Sequence, residues 1–297
     1  MPTLVIDNLH KRFGEVQALR GMSLSVRPGE VYGFVGSNGA GKSTTMRIAL
    51  GVLSADEGEV LFDDSPLDTT SRRRIGYMPE ERGLYNKDKI LDQLVFFATL
   101  HGLSRAVATK NATQLLEELG LADRADDTVE ALSLGNQQRV QLAASLVHDP
   151  DILILDEPFS GLDPVAVDVM SEMLLERART HNIPVLFSSH QLDLVQRLCD
   201  RVGIVAAGSM VAEGTVDELR SRGPRRFQVT TRARGWYPPG TRVISDEDDS
   251  VILEPDDPTE SDVDQRILAA ALAAGPVRSF SPVTPDLTDL FKEAVQP

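Results

Sequence analysis

Along the first two thirds of the chain the apolar residues come in short runs, and the spacing of those runs changes along the way. Residues 4–6, 24–26 and 31–35 are β-rich stretches, and the bend at Pro28-Gly29 separates the last two. A glycine-rich turn over 36–41 then leads into 43–50, which lacks Gly and Pro and predicts a helix opening on that turn. Between about 92 and 146, apolar positions recur at helical spacing, as in Leu94, Phe97 and Ala98 and again in Leu115, Leu116 and Leu119. Gly102 and Gly120 act as stops, so this part predicts a mostly helical insertion. Residues 152–155 and 185–187 are nearly all apolar, the pattern of strands covered on both faces in a parallel sheet, and a helix over about 165–180 joins them. Residues 202–205 and 210–212, linked through Gly208-Ser209, predict a closing hairpin.

The texture changes from about residue 221. Nine of the 17 prolines lie between Pro224 and Pro297, and residues 245–264 hold ten acidic side chains and no Lys or Arg. This marks a boundary between a first domain over 1–220, with a helical subdomain over about 85–150, and a module over 221–297. Alternation through Phe227, Val229, Val243, Val251 and Leu253 predicts a few short strands, followed by a helix over 264–274. The module is therefore expected to be small and α+β rather than a disordered tail, with the acidic stretch a solvated loop.

Composition narrows the possibilities. With 297 residues, 41% of them hydrophobic and 25% charged, the chain can bury a full core and lies far from the disordered class. A formal net charge of -15 argues against a broad nucleic-acid-binding surface, which needs clustered Lys and Arg. Cys199 is the only cysteine, which rules out an intrachain disulfide and fits a reducing compartment; it reads as a small core residue on the helix after His190. No run of eighteen apolar residues occurs, and residues 1–13 lack the pattern of a signal peptide. The expectation is a chain that stays in the cytosol and depends on another chain for any membrane-spanning part.

Two segments carry chemistry on their own. Gly36-Ser37-Asn38-Gly39-Ala40-Gly41-Lys42-Ser43-Thr44 satisfies the phosphate-loop pattern G-x-x-x-x-G-K-[ST], placed where a predicted strand turns into a predicted helix. Glycines let the backbone wrap a phosphate with its N–H groups inward, and the helix amino end adds positive potential. Lys42 brings a point charge to the β and γ phosphates, and the Ser43 hydroxyl a ligand for Mg²⁺. Further on, the apolar run 152–155 ends abruptly in Asp156-Glu157-Pro158. Asp156 suits Mg²⁺, as a ligand or one layer further out, while Glu157 is placed to polarise a water in line with the γ-phosphate.

Taken together, these residues resemble one family. Leu132-Ser133-Leu134-Gly135-Asn136-Gln137-Gln138-Arg139 is similar to the signature segment of ABC ATPases and lies just before the Asp156-Glu157 strand, as in that family. Ser160-Gly161-Leu162-Asp163 resembles its D-loop, His190 its switch histidine, and Phe13 the aromatic ring that stacks on adenine. The motifs cover residues 3 to about 215. The fold this implies is an α/β P-loop NTPase core of ABC-ATPase type, a RecA-like lobe with an antiparallel β subdomain and a helical subdomain, followed by the small C-terminal module.

Departures from the family pattern are also visible. Leu134 and Asn136 stand where most members have a Gly and the Gln of LSGGQ, whereas Ser133 and Gly135 are retained. Glu80 stands where the Q-loop glutamine is expected; a carboxylate there can still coordinate Mg²⁺ but adds negative charge near the γ-phosphate. The run Pro79-Glu80-Glu81-Arg82-Gly83-Leu84-Tyr85, with the variant signature and the C-terminal module, is similar to a bacterial exporter branch associated with sodium or antibiotic efflux.

The resemblance implies an ATPase that uses ATP and Mg²⁺ and works as a head-to-tail dimer. Each ATP would be held by one phosphate loop and covered by Ser133 and Gly135, with Asp163 nearby, of the second copy. It further implies a separately encoded membrane permease and a place at the cytoplasmic face of the membrane. The alternative is a non-transport ABC ATPase acting as a regulatory or assembly factor; a form acting on ribosomes or DNA fits less well, because the chain has one phosphate loop, no long heptad run and an acidic balance.

Overall fold

A computed structural model of the chain describes residues 3–81, 83–221, 224–257, 259–283 and 287–288. The chain divides into two compact units, 1–216 and 217–297.

The first unit opens with the antiparallel pair β1 (Leu4–Phe13) and β2 (Val16–Val26), in register with Leu4 opposite Val26. Both strands run well past 4–6 and 24–26, because Lys11 and Arg12 pair with Leu19 and Gln17 in a polar part of the ladder that apolar patterning does not report. Fully buried β3 (Val31–Gly36) runs into the phosphate turn and α1 (Lys42–Ala49). Next come β4 (Glu57–Phe62), β5 (Ser65–Pro66), a short α2 (Thr69–Arg72) and β6 (Ile75–Met78).

The helical insertion consists of α3 (Ile90–Leu100), α4 (Arg105–Glu118) and α5 (Leu134–Leu146). Of its expected inward positions, Leu94, Ala98, Leu115, Leu116 and Leu119 are buried, whereas Phe97 is half-buried. The chain continues through β7 (Ile152–Leu155), α6 (Pro164–His181), β8 (Val185–Ser189), α7 (Leu192–Leu198), β9 (Arg201–Ala206) and β10 (Ser209–Thr215), and α8 (Val216–Ser221) then opens the second unit. Asp163 caps α6 by accepting from Ala166 N–H at 2.9 Å, and Pro164 fills the first helical position, where its missing N–H costs nothing. Cys199 does not lie on α7 but closes it in extended backbone; burial, helped by the nearby Asp200 charge, pushes its thiol pKa well up.

Two sheets organise this unit. An antiparallel sheet of order β2-β1-β4-β5 shares a core with α1 and β3, built from Leu4, Ile6, Leu19, Met22, Phe34 and Met46 among others. The larger sheet has the order β10-β9-β3-β8-β7-β6, parallel from β9 to β6, with β10 antiparallel at the edge. Its register aligns Val35 with Ser189, Phe187 with Leu155, and Leu155 with Met78. The carboxyl ends of β3, β8, β7 and β6 therefore lie side by side, the edge where open α/β sheets bind their ligands.

The second unit is a four-stranded antiparallel sheet of order β12-β13-β11-β14. It contains β11 (Arg226–Thr231), β12 (Thr241–Glu247), β13 (Ser250–Pro255), α9 (Val263–Ala274) and β14 (Val277–Val283). Val263, Ile267 and Ala271 of α9 pack on Phe227, Val229, Val251 and Leu253, the alternate positions of β11 and β13. The acidic stretch 245–264 is not one solvated loop: much of it lies in β12 and β13. Its charges are tolerated there because arginines meet them, Arg234 at Asp246, Arg232 and Arg278 at Asp249, and Arg226 and Arg242 at Glu254. Arg82 lies outside the described residues.

Candidate functional site

The ends of three strands, β3, β6 and β7, converge on one open cavity, lined by Ala18, Ser37 to Thr44, Glu80, Asp156 and Glu157. The turn from β3 into α1 forms its floor. Gly41, the residue before α1, has φ 107°, and a Cβ there would sit 2.7 Å from Leu19 Cδ2, so only glycine fits. No side chain caps the amino end of α1, in contrast to α4, α5 and α6, which Ser104, Ser133 and Asp163 cap. Its first amides thus face the cavity without a side-chain acceptor, the arrangement that takes an anion.

Lys42 is 6% exposed and donates to the carbonyls of Gly36 at 2.7 Å and Ser37 at 3.3 Å. Its Nζ is 4.0 Å from Glu157 Oε1, too far for a hydrogen bond. A buried ammonium held by backbone carbonyls, with its only ion pair among the described residues at that distance, is an unsaturated charge.

Asp156 and Glu157 follow β7 and are 2% and 7% exposed. Glu157 adopts φ 50°, in the left-handed region, a strain of about 1–3 kcal/mol for a residue with a Cβ. The turn brings its carboxylate back over the strand end, where Oε2 lies 2.8 Å from His190 Nδ1. His190 stands just past β8, with its side chain 56% exposed. Tyr77 on β6 is half-buried; burial first, and the Asp156 charge second, raise its phenol pKa above the usual value.

The donor set suits a magnesium nucleotide. Ser43, Asp156 and Glu80 offer hard oxygens, and among the described residues no cluster of three or more His, Cys, Asp or Glu could hold a metal alone. That is the usual condition for Mg²⁺, which completes its shell with substrate phosphates.

The remaining residues singled out by sequence lie elsewhere. Phe13 ends β1 with its ring 48% exposed, outside the cavity lining, and Lys11 Nζ sits 5.6 Å from the ring centroid. Ser133 caps α5 by accepting from Asn136 N–H. Gly135 lies against the start of α6, where a Cβ would come 3.5 Å from Ala166 Cβ and 3.8 Å from Asp163 Oδ2. Ser133, Gly135 and Asp163 therefore form a second group, beside the exposed Leu134, and do not line the cavity of their own copy.

Sequence reasoning assigned no role of its own to three residues that hold the acid-bearing segments in place. Gln138 donates to Pro158 O at 3.0 Å, Gln141 to Pro79 O at 2.6 Å, and Ser188 joins Asp156 to Glu157. The only signal was the polar residues themselves, at positions that a buried helix face or strand would otherwise give to apolar ones.

Comparison with known proteins agrees with this geometry. Residues 19–160 match the family described as ABC transporter, and residues 214–295 match the C-terminal domain described as ATP-binding protein DrrA1-3-like. The chain is 37% identical over 296 residues to the uncharacterized ABC transporter ATP-binding protein YhaQ of Bacillus subtilis, covering 98% of each chain. It is 35% identical over 222 residues to the linearmycin resistance ATP-binding protein LnrL of the same species, covering 74% of this chain and 71% of that one. A dimeric ATP-binding cassette solved in a post-hydrolysis state with ADP and Pi superposes with a TM-score of 0.66 at 25% identity, covering 71% of this chain and 98% of that one. With a phosphate loop, two buried acids and a histidine at one strand edge, and a relative matching end to end, this chain belongs to the ATP-binding proteins of ABC transporters, the ATPases that power them.

Proposed function

We propose that the chain is the ATP-hydrolysing subunit of an exporter that moves a drug, an antibiotic or sodium ions through a separate permease. The observation that carries this reading is a site built in two halves. One cavity gathers the phosphate loop, Glu80, Asp156 and Glu157, while Ser133, Gly135 and Asp163 stand apart beside an exposed Leu134. Two copies meeting head to tail would bring the second group of one onto the cavity of the other, and the similar cassette with ADP and Pi is a dimer.

In this arrangement the amides over 39–44 and Lys42 take the β and γ phosphates of ATP, Gly36 to Ala40 shape the turn, and Phe13 stacks on adenine. Ser43 and Asp156, with Glu80, would hold Mg²⁺, which would supply positive charge against the phosphates. Glu157 accepts a proton from the attacking water, and His190 holds the Glu157 carboxylate at 2.8 Å. ATP closes the dimer and hydrolysis lets it open, and that difference in affinity is the free energy available to the permease.

Residues 1–220 are assigned to the ATPase domain, with its helical subdomain over about 85–150, and 221–297 to an accessory module. Support for the permease comes from an open groove of mixed character, lined by Tyr77, Pro79, Leu84 and Phe97 together with His101 and Gln141, with the exposed Tyr85 and Phe96 beside Phe97. No helix among the described residues is long and apolar enough to cross a membrane. The export reading draws on the efflux branch and on the relative named for linearmycin resistance, and it places the chain at the cytoplasmic face of the membrane.

The test is nucleotide binding by the purified chain, followed by co-purification from membranes. Magnesium-dependent ATP affinity that Lys42→Ala abolishes, together with recovery of a polytopic membrane protein, is the expected result. Equal affinity in Lys42→Ala would overturn the site, and recovery of only non-membrane partners would overturn the transport role.

A further inference from the structure

We propose that Ser188 is a positioning residue for hydrolysis, fixing Asp156 and Glu157 together through a single hydroxyl. Ser188 lies on β8 with no exposed surface, and the pairing of Leu155 with Phe187 sets it abreast of Asp156. Its Oγ–H donates to Asp156 Oδ1 at 2.6 Å, and the same oxygen accepts from the backbone N–H of Glu157 at 2.9 Å. A serine hydroxyl has one proton to give and lone pairs to accept with, so the two bonds use it in complementary directions.

The two contacts do different things. Holding Oδ1 fixes the rotation of the Asp156 carboxylate and leaves Oδ2 free of this bond. Accepting from the Glu157 amide anchors the residue at φ 50°, the strained turn that carries its carboxylate to His190 Nδ1. Without the hydroxyl, the Glu157 N–H loses its buried acceptor and Asp156 loses a charge-assisted donor. Residues that orient a ligand from behind typically change metal affinity or activity by about 10- to 100-fold when removed.

Ser188 never touches nucleotide in this account. It acts through Asp156 and Glu157, and the proposal therefore rests on the roles given to them above. Its prediction separates orientation from folding. In Ser188→Ala, kcat should fall about 10- to 100-fold while KM for ATP stays within about 3-fold, and Mn²⁺ binding with ATP, followed by electron paramagnetic resonance, should weaken by a similar factor. Ser188→Thr, which keeps the hydroxyl, should restore both.

Should the alanine variant fail to fold, Ser188→Thr against Ser188→Val carries the same test, because the two have one shape and differ by the hydroxyl. Threonine exceeding valine in kcat and in Mn²⁺ affinity supports the proposal, and equal values overturn it. Unchanged kcat and Mn²⁺ affinity in a folded Ser188→Ala also overturn it. Glu157→Gln measured alongside distinguishes the two levels: full turnover there removes the underlying reading, whereas loss there beside a wild-type Ser188→Ala removes only this inference.

Discussion

The two units of the chain treat polar side chains in opposite ways. In the first, Lys42, Asp156, Glu157, Ser188 and Ser189 are all buried at one edge of a parallel sheet, and Lys42 comes only within 4.0 Å of a carboxylate. In the second, Thr231 is the sole buried polar residue among those described, and it donates to Pro276 O at 3.0 Å. The charges of that unit pair with one another on its sheet, as Glu254 does with Arg226 at 2.8 Å and also with Arg242. A group of charges left unsaturated and a glutamate held in a strained turn persist only where the surroundings over-determine them, which is the mark of a site. The second unit has strain and an unpaired atom of its own, in Asp248 at φ 49° and the buried Arg266 Nε, but its carboxylates Asp246, Asp249 and Glu254 are each met by an arginine, as in a scaffold rather than a site.

The sharpest way to break this contrast is to remove the strained acid. Glu157→Gln keeps the shape and the backbone turn, so ATP binding should persist while turnover falls about 10²- to 10⁴-fold, measured as phosphate release. Turnover at the wild-type rate would make Glu157 a structural residue, no different in kind from Glu254.

Next in size is a change to the core of the second unit. Phe227 is 5% exposed and stacks on Phe280 with ring centroids 5.7 Å apart. Phe227→Ala should cost that unit about 3–4 kcal/mol, read by urea unfolding through Trp236, the only tryptophan of the chain and one packed on this core. ATP affinity should not change. A parallel loss of affinity would show that the scaffold feeds the site and would erase the distinction drawn above.

Acid should separate the units by a smaller margin. His148 stacks on His101 with centroids 3.7 Å apart, and burial, then the neighbouring His101, lowers its pKa from 6.5 to about 4, with a weak bond to Ile75 O opposing. The unfolded chain therefore binds this proton more readily than the folded one. The associated stability, on the order of 2–3 kcal/mol, is complete above pH 6.5 and is lost as pH falls towards 4. Burial pushes the Glu254 carboxyl up, but Arg226 and Arg242 outweigh it and hold the pKa below 4.5, so its contribution is lost only below that pH. Urea midpoints at pH 7 and pH 5 should drop for the first unit and hold for the second. His148→Gln, which removes the titrating ring, should flatten the first response.

Much of this was legible in the chain itself. The phosphate turn, the acids after 152–155, the paired apolar strands and the helical insertion carry their own patterns, because buried strands and helices need continuous or periodic apolar residues whatever surrounds them. Other features were not. β4, β5, β6 and β14 are short or half-exposed, and their pairing depends on partners far away in sequence. The acidic stretch looked solvated because the arginines that meet it, at 226, 232, 234, 242 and 278, all lie outside 245–264 in sequence.

The sequence by itself determined which chemistry the chain carries: glycines, a lysine and a serine at phosphate spacing, and two acids closing an apolar strand. Local physics suffices for that, since a phosphate turn and its helix involve only neighbouring residues. Only the tertiary structure decided which residues act together. It set Ser188 abreast of Asp156 through the register of β7 with β8, turned Glu157 back towards His190, and kept Ser133 and Gly135 away from the cavity of their own copy. Strand order and register join positions about thirty to a hundred and fifty residues apart, and no local pattern encodes which of them will meet.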